Sequence, residues 1–221
     1  MKGIAGEKGE MRIPLKPMRQ RPYRLNHHYK EKVCLKIGKF LQPGIIEPVE
    51  ESKWICKMVV EDNNIGEIRI YIDLRNINDG CVIDPFPTPF TDEVLDNVGG
   101  QEAYSFTDGF LGYHQIKIAK EDRQKTTFTT KNRCYQYTVM PFGLKNASAI
   151  FSRVVVAAFR EFIHKFPEVY FDDWTIFGLL SKHIVQLRMM FDRCRQCQIA
   201  LNLKKVYLLF PIWHFSGLCC L

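Results

Sequence analysis

The 221 residues carry 31 Lys and Arg against 24 Asp and Glu, a net charge of +7, with 46% hydrophobic and 13% aromatic side chains. That apolar share can fill the core of one ordinary domain or two small lobes, and it excludes a disordered tail. The longest uniformly apolar run, Val154 to Phe159, cannot span a bilayer, and no apolar h-region follows Met1. The eight scattered cysteines exclude a small disulfide scaffold, so a soluble protein is expected in a reduced intracellular setting, cytoplasmic or nuclear.

The charge is unevenly placed. Residues 1–40 hold 11 Lys/Arg and 3 Asp/Glu, hence +8, and the rest hold 20 and 21, hence −1. This suits a backbone-binding arm as well as a solvated linker. Residues 1–22, rich in Gly, Pro, Lys and Arg and without apolar periodicity, read as a basic linker, with order beginning near Tyr29.

From Tyr29 to Leu41, Val33, Leu35, Ile37, Phe40 and Leu41 form a helical stripe that Pro43-Gly44 ends. Trp54–Val60 and Glu67–Asp73 read as strands of a hairpin turning at Asp62-Asn63-Asn64-Ile65-Gly66, which makes residues 23–90 a small β-rich lobe. Pro85, Pro87 and Pro89 enforce an extended connection, and Thr91-Asp92-Glu93 opens a brief helix through Val98. The strand Ala103–Thr107 then delivers Asp108 at its end. Strands Thr126–Thr130 and Cys134–Met140 turn at Lys131-Asn132-Arg133, and Pro141 closes them.

Between Asn146 and Lys165, Ile150, Phe151, Val154, Val155, Ala158, Phe159, Phe162 and Ile163 recur at helical spacing. After Pro167 two short apolar runs flank Asp172-Asp173. A second helix follows from Ser181, with Ile184, Leu187, Phe191 and Cys194 on one face, and from Val206 the chain reads as a strand. The order from Asp108 onward predicts an α+β fold, an antiparallel sheet with helices on one face. Cys194 and Cys197 have zinc-ligand spacing that Cys219-Cys220 would complete, but the first two fall within the helical pattern.

Asp172-Asp173 is the most informative feature. Two carboxylates ~6 Å apart repel by about 0.7 kcal/mol in water and about 3 kcal/mol at an effective dielectric of 20, unless a cation lies between them. Asp is also a good turn residue, so the pair alone fits a turn as well as a metal site. Asp108, at the end of a separate strand, would supply a converging carboxylate if the two strands are neighbours.

Three ordered motifs decide between these readings: Asp108-Gly109-Phe110-Leu111-Gly112-Tyr113-His114-Gln115-Ile116, Met140-Pro141-Phe142-Gly143-Leu144-Lys145-Asn146-Ala147 and Tyr170-Phe171-Asp172-Asp173. Together they resemble reverse transcriptases of Ty3/gypsy-type LTR retrotransposons, with plant elements looking nearest. Gly44-Ile45-Ile46-Glu47-Pro48 and Ile72-Asp73-Leu74-Arg75-Asn76-Ile77-Asn78 are similar to the same family's fingers, so the match covers roughly residues 20 to 210.

The resemblance implies a right-hand polymerase, with fingers in 23–90 and palm in 91–221, copying a primed RNA or DNA template from dNTPs. Asp108 and Asp172 would be the principal ligands of two Mg²⁺ ions, Mn²⁺ being possible, with Asp173 in a weaker role. Tyr113 matches a steric gate against the 2′-OH. Leu111 and Gly112 match positions whose backbone N–H groups cradle the triphosphate, and Arg69 matches a fingers arginine that neutralises it. Phe142 and Gly143 match residues near the templating base. Asp73 and Arg75 read as a structural pair, and Lys204-Lys205 as a phosphate contact or a solvated helix end.

The sequence departs from the family where Val60-Glu61-Asp62 stands in place of lysines before the fingers turn, where Leu111 replaces a small polar residue, and where Ser148 replaces Pro. Phe215–Leu221 resembles a primer-grip strand only loosely, and no thumb, RNase H, integrase or protease pattern is present, so a polyprotein fragment is expected, with self-association or other polyprotein segments as partners. An inactive or domesticated relic, or a nucleic-acid-binding module built on the basic leader, are the alternatives.

Overall fold

The computed structural model describes residues 10–11, 13, 20, 26–63, 66–87, 90–109, 112–131, 133–163, 165–170 and 173–211. In chain order the elements are β1 (Glu10–Met11), α1 (Lys30–Leu41), β2 (Ile46–Val49), β3 (Lys57–Asp62), β4 (Ile68–Asp73), α2 (Arg75–Gly80), α3 (Thr91–Val98) and β5 (Ala103–Asp108). Then follow β6 (Lys117–Ile118), β7 (Phe128–Thr129), β8 (Cys134–Tyr137), α4 (Ala147–Phe159), β9 (Pro167–Tyr170), β10 (Asp173–Gly178), α5 (Leu180–Cys197) and β11 (Tyr207–Pro211).

Contacts divide the chain into two units, 6–84 with 116–147 and 85–115 with 148–221. The boundary drawn at residue 90 from the sequence therefore moves to 84, and residues 116–147 return to the first unit. Hydrogen bonding is the reason: β2 pairs antiparallel with β8, in register from Ile46↔Tyr137 to Val49↔Cys134, so a distant segment completes the sheet β2-β8-β7. Pro48 is tolerated because β2 is an edge strand.

In the first unit Phe128 is fully buried, its ring 5.9 and 5.7 Å from those of Tyr135 and Tyr137. The expectation of a linker up to residue 22 fails at its described positions. Met11 and Ile13 are 1% and 0% exposed, and β1 pairs parallel with β6. The Ile13 N–H donates to Asp122 Oδ2 at 2.6 Å, and the Lys125 ammonium bridges the Ile13 carbonyl and Asp122 Oδ1. Two apolar residues spaced by two put both side chains on one face of an extended chain. Farther on, Gln20 N–H donates to the Ile55 carbonyl at 2.8 Å.

In the same unit β3 and β4 form the expected hairpin, and Arg75 grips Asp73 bidentately at 2.9 and 2.8 Å in front of α2. That guanidinium holds the Asp73 carboxyl below its ordinary range. The strand expected from Thr126 starts later: Arg123–Thr126 is a 3₁₀ turn, in which Thr126 Oγ1 bonds the Arg123 carbonyl at 2.7 Å.

The second unit is built on the antiparallel sheet β11-β5-β10-β9. Ser105, Thr107, Trp174 and Ile176 share one face by register, and α4 and α5 lie on it: Phe159 meets Trp174 edge-on at 4.9 Å and His183 Nε2 lies 2.8 Å from Ser105 Oγ. The short α3 reaches side chains of the other face, Asn97 donating to Glu168 Oε1 at 3.0 Å. α4 ends at Phe159 rather than Lys165, where Phe162 and Ile163 N–H groups turn back to the Phe159 carbonyl. On α5 the buried stripe is His183, Leu187, Met190 and Cys194, while Ile184 is 52% exposed. The buried face is offset by one position from the expected one at two places, His183 for Ile184 and Met190 for Phe191, and His183 enters the core on a hydrogen bond to Ser105 rather than on hydrophobicity.

Candidate active site

The end of β5 and the start of β10 bring two carboxylates together. β10 runs antiparallel to β5 with Asp173 directly opposite Asp108 and Trp174 opposite Thr107. Directly opposed residues project to the same face with Cβ atoms about 5 Å apart, and like charges there destabilise the sheet. Asp173 is held above its ordinary carboxylate range, first by desolvation, then by the Asp108 charge, with Lys205 acting against both. β9 pairs with β10 up to Tyr170↔Asp173. Asp172 itself, the expected principal ligand, lies outside the described residues, as does Leu111.

Lys205 completes the cluster: its ammonium is 2.5 Å from Asp108 Oδ2. The Asp108 carboxylate raises the lysine's pKa, by their hydrogen bond first and by charge next. The backbone places it there. Gln115 clamps Ala200, its Nε2 donating to the Ala200 carbonyl at 3.0 Å and its Oε1 accepting the Ala200 N–H at 2.7 Å. Gly109 then bridges Leu201, the Asn202 N–H donates to the Asp108 carbonyl at 2.8 Å, and Asn202 Oδ1 caps the 3₁₀ turn Leu203–Lys205. Tyr207 continues opposite Phe106.

The other expected residues fall as follows. Gly112 is buried at the start of the 3₁₀ turn Gly112–Gln115, and the Tyr113 ring meets Phe151 of α4 edge-on at 5.6 Å. In the first unit, Gly143 has φ +94°, a conformation that favours glycine, and its carbonyl accepts from Asn78 Nδ2 at 2.7 Å. Phe142 beside it is 48% exposed. Arg69 is exposed on β4 directly opposite Glu61, and the neighbouring Asp62 accepts the Tyr29 hydroxyl at 2.6 Å. Cys194 is a buried core thiol, raised to about 12 by desolvation, and Cys219 and Cys220 lie outside the described residues.

The donor set fits a hard divalent cation. Asp108 and Asp173 offer carboxylate oxygens on one face, the ligand type Mg²⁺ takes, and an ammonium already stands in as a cation. Among the described residues no cluster of three such ligands forms. Sequence reasoning missed that Lys205 pairs with Asp108; the signal would have been the pairing of the last strand with the one that carries Asp108.

The reverse transcriptase (RNA-dependent DNA polymerase) family matches residues 52–218. The chain is 30% identical over 206 residues to the retrovirus-related Pol polyprotein from transposon 297 of Drosophila melanogaster, covering 91% of this chain and 20% of that one. It is 30% identical over 209 residues to the enzymatic polyprotein of Cauliflower mosaic virus (strain NY8153), covering 93% of this chain and 31% of the polyprotein. The chain thus spans between a fifth and a third of these relatives' length. The foamy viral protease-reverse transcriptase in complex with RNA/DNA hybrid has the same fold, with TM-score 0.78 at 23% identity over 87% of this chain and 26% of that chain. Its complex with dsDNA gives TM-score 0.79 at 24% identity over 89% and 41%. The strand-borne Asp108 motif, the acidic hairpin and the common fold agree with the sequence match, and the chain belongs to the reverse transcriptase family.

Proposed function

We propose that the chain is the fingers and palm portion of an LTR-retrotransposon polymerase of the Ty3/gypsy type, extending a primer on an RNA or DNA template with dNTPs. The single observation that carries this is the register pair Asp108↔Asp173 at the sheet end, in a chain of this family. Asp108, Asp173 and, by its motif position, Asp172 would hold two Mg²⁺ ions, with Mn²⁺ as a substitute. When bound, these ions supply the charge that favours attack of the primer 3′-hydroxyl on the α-phosphate and departure of pyrophosphate.

The chain's own contributions are positional. The Tyr113 ring, braced on Phe151, would exclude a ribose 2′-OH, and Gly112 and Leu111 would offer backbone N–H donors to the triphosphate. Arg69 would add a planar bidentate donor, and Phe142 and Gly143 would line the nascent pair. Primer extension by the 221-residue chain in Mg²⁺ or Mn²⁺ tests the reading; extension that is lost in Asp108→Asn supports it.

One observation favours the alternative of a relic with little catalysis. Glu61 lies directly opposite Arg69, so its carboxylate would compete with an incoming triphosphate for the guanidinium. Folded protein that binds primer-template yet gives no product with either metal would establish that alternative.

A further inference from the structure

The ion pair of Lys205 with Asp108 differs from an ordinary surface pair in how it is held. The Lys205 side chain is 64% exposed and that of Asp108 17%, so an exposed ammonium meets a largely buried carboxylate. Its approach is fixed from both sides: Ala200 in the Gln115 clamp, Leu201 bridged to Gly109, Asn202 bonded to the Asp108 carbonyl, and Tyr207 in register with Phe106. The pairing of β11 with β5 shifts register between Tyr207 and Phe210. The short turn Leu203–Lys205 thus sits where the last strand joins the one that ends in Asp108. The opposed carboxylate Asp173 contributes to the same electrostatic field.

We propose that Lys205 is the resident counterion of the Asp108–Asp173 pair, which a divalent cation must displace, and that it sets the metal concentration at which the site fills, on the reading of that pair as a metal site. The ammonium and a divalent ion need the same carboxylate oxygen, so they compete. Without metal the lysine relieves the repulsion between the two carboxylates. With metal it swings into solvent, which its exposure permits. Lys205 is accordingly a positioning residue, acting through Asp108.

Mn²⁺ binding to the full chain, read by the electron paramagnetic resonance signal of the free ion, tests this in wild type, Lys205→Met, Lys204→Met and Asp108→Asn. Lys204 is the adjacent exposed lysine and carries the same charge, so it controls for field effects without the ion pair. Lys205→Met is expected to bind Mn²⁺ about three- to fivefold tighter than wild type, the size of a partly exposed ion pair, with Lys204→Met unchanged. Equal or weaker binding in Lys205→Met, or equal tightening in Lys204→Met, overturns the counterion role while leaving the metal site standing. No Mn²⁺ bound by wild type or Lys205→Met at millimolar metal overturns both. Because Lys205 is exposed, loss of fold does not confuse the outcome, and circular dichroism of each variant checks it.

Discussion

Two aspartates, each salt-bridged to a lysine, serve opposite ends in the two units. In the first, Asp122 is buried and closed: Oδ2 accepts the Ile13 N–H at 2.6 Å, Oδ1 takes the Lys125 ammonium, and that ammonium also caps the Ile13 carbonyl. In the second, Asp108 stands at a strand end opposite another carboxylate, with a lysine whose side chain is 64% exposed. Burial and a partner on each carboxylate oxygen make the first pair a fastener. Opposition of like charges and an exposed, displaceable partner leave the second pair short of positive charge, which is the condition for binding a cation.

Substitution separates the two roles. The largest effect is expected in Asp108→Asn, which should cut primer extension by about a thousandfold while changing unfolding free energy by under about 1 kcal/mol. Asp122→Asn should do the reverse, lowering stability by about 3 kcal/mol because it leaves a lysine without its charge partner in the interior. Chemical denaturation monitored by tryptophan fluorescence reads both. Ile13→Ala, which removes the anchor of the N-terminal strand beside Asp122, should cost about 2 kcal/mol in the same assay. An unchanged midpoint there would mean that the segment contributes no stability.

Smaller effects sharpen the electrostatic side. Asp173→Asn in EDTA should stabilise the protein at pH 7 by a few tenths to about 1 kcal/mol, the cost of directly opposed like charges. The sign follows from the raised carboxyl: the native state holds its proton more tightly than the unfolded chain, so stability is lost as pH rises through the folded value. The gain in Asp173→Asn should therefore vanish once pH falls below about 4, where both states are protonated. Thermal melts from pH 3 to 8 measure this. Glu61→Gln, which removes the carboxylate opposite Arg69, should lower the KM for dNTP about threefold if Arg69 meets the triphosphate. If only the melting temperature moves, Arg69 is a surface residue.

Much of the second unit was legible because its signals are local. The strand that ends in Asp108, the brief helix after Thr91 and the acidic hairpin each declare themselves within ten residues, and Asp108 falls at its strand end as expected. What stayed hidden depends on distant pairing. β1 is two residues long, and the burial of Met11 is visible only beside β6 and Asp122. The return of 116–147 to the first unit is decided by β2 meeting β8, and nothing in either segment announces the other. Lys205 looks like a phosphate contact or a helix end in sequence because its partner lies 97 residues away, across a strand pairing that hydropathy cannot reveal. His183 escaped the helical stripe because a buried histidine is placed by its hydrogen bond rather than its polarity.

On the proposed reading, Asp108 and Asp173 form a divalent-cation site whatever the catalytic fate of the chain. Calorimetric titration of Mn²⁺ into wild type and into the Asp108→Asn, Asp173→Asn double variant tests it most directly. Saturable binding to wild type that disappears in the folded double variant is the predicted result, and binding that persists unchanged in the double variant would contradict it.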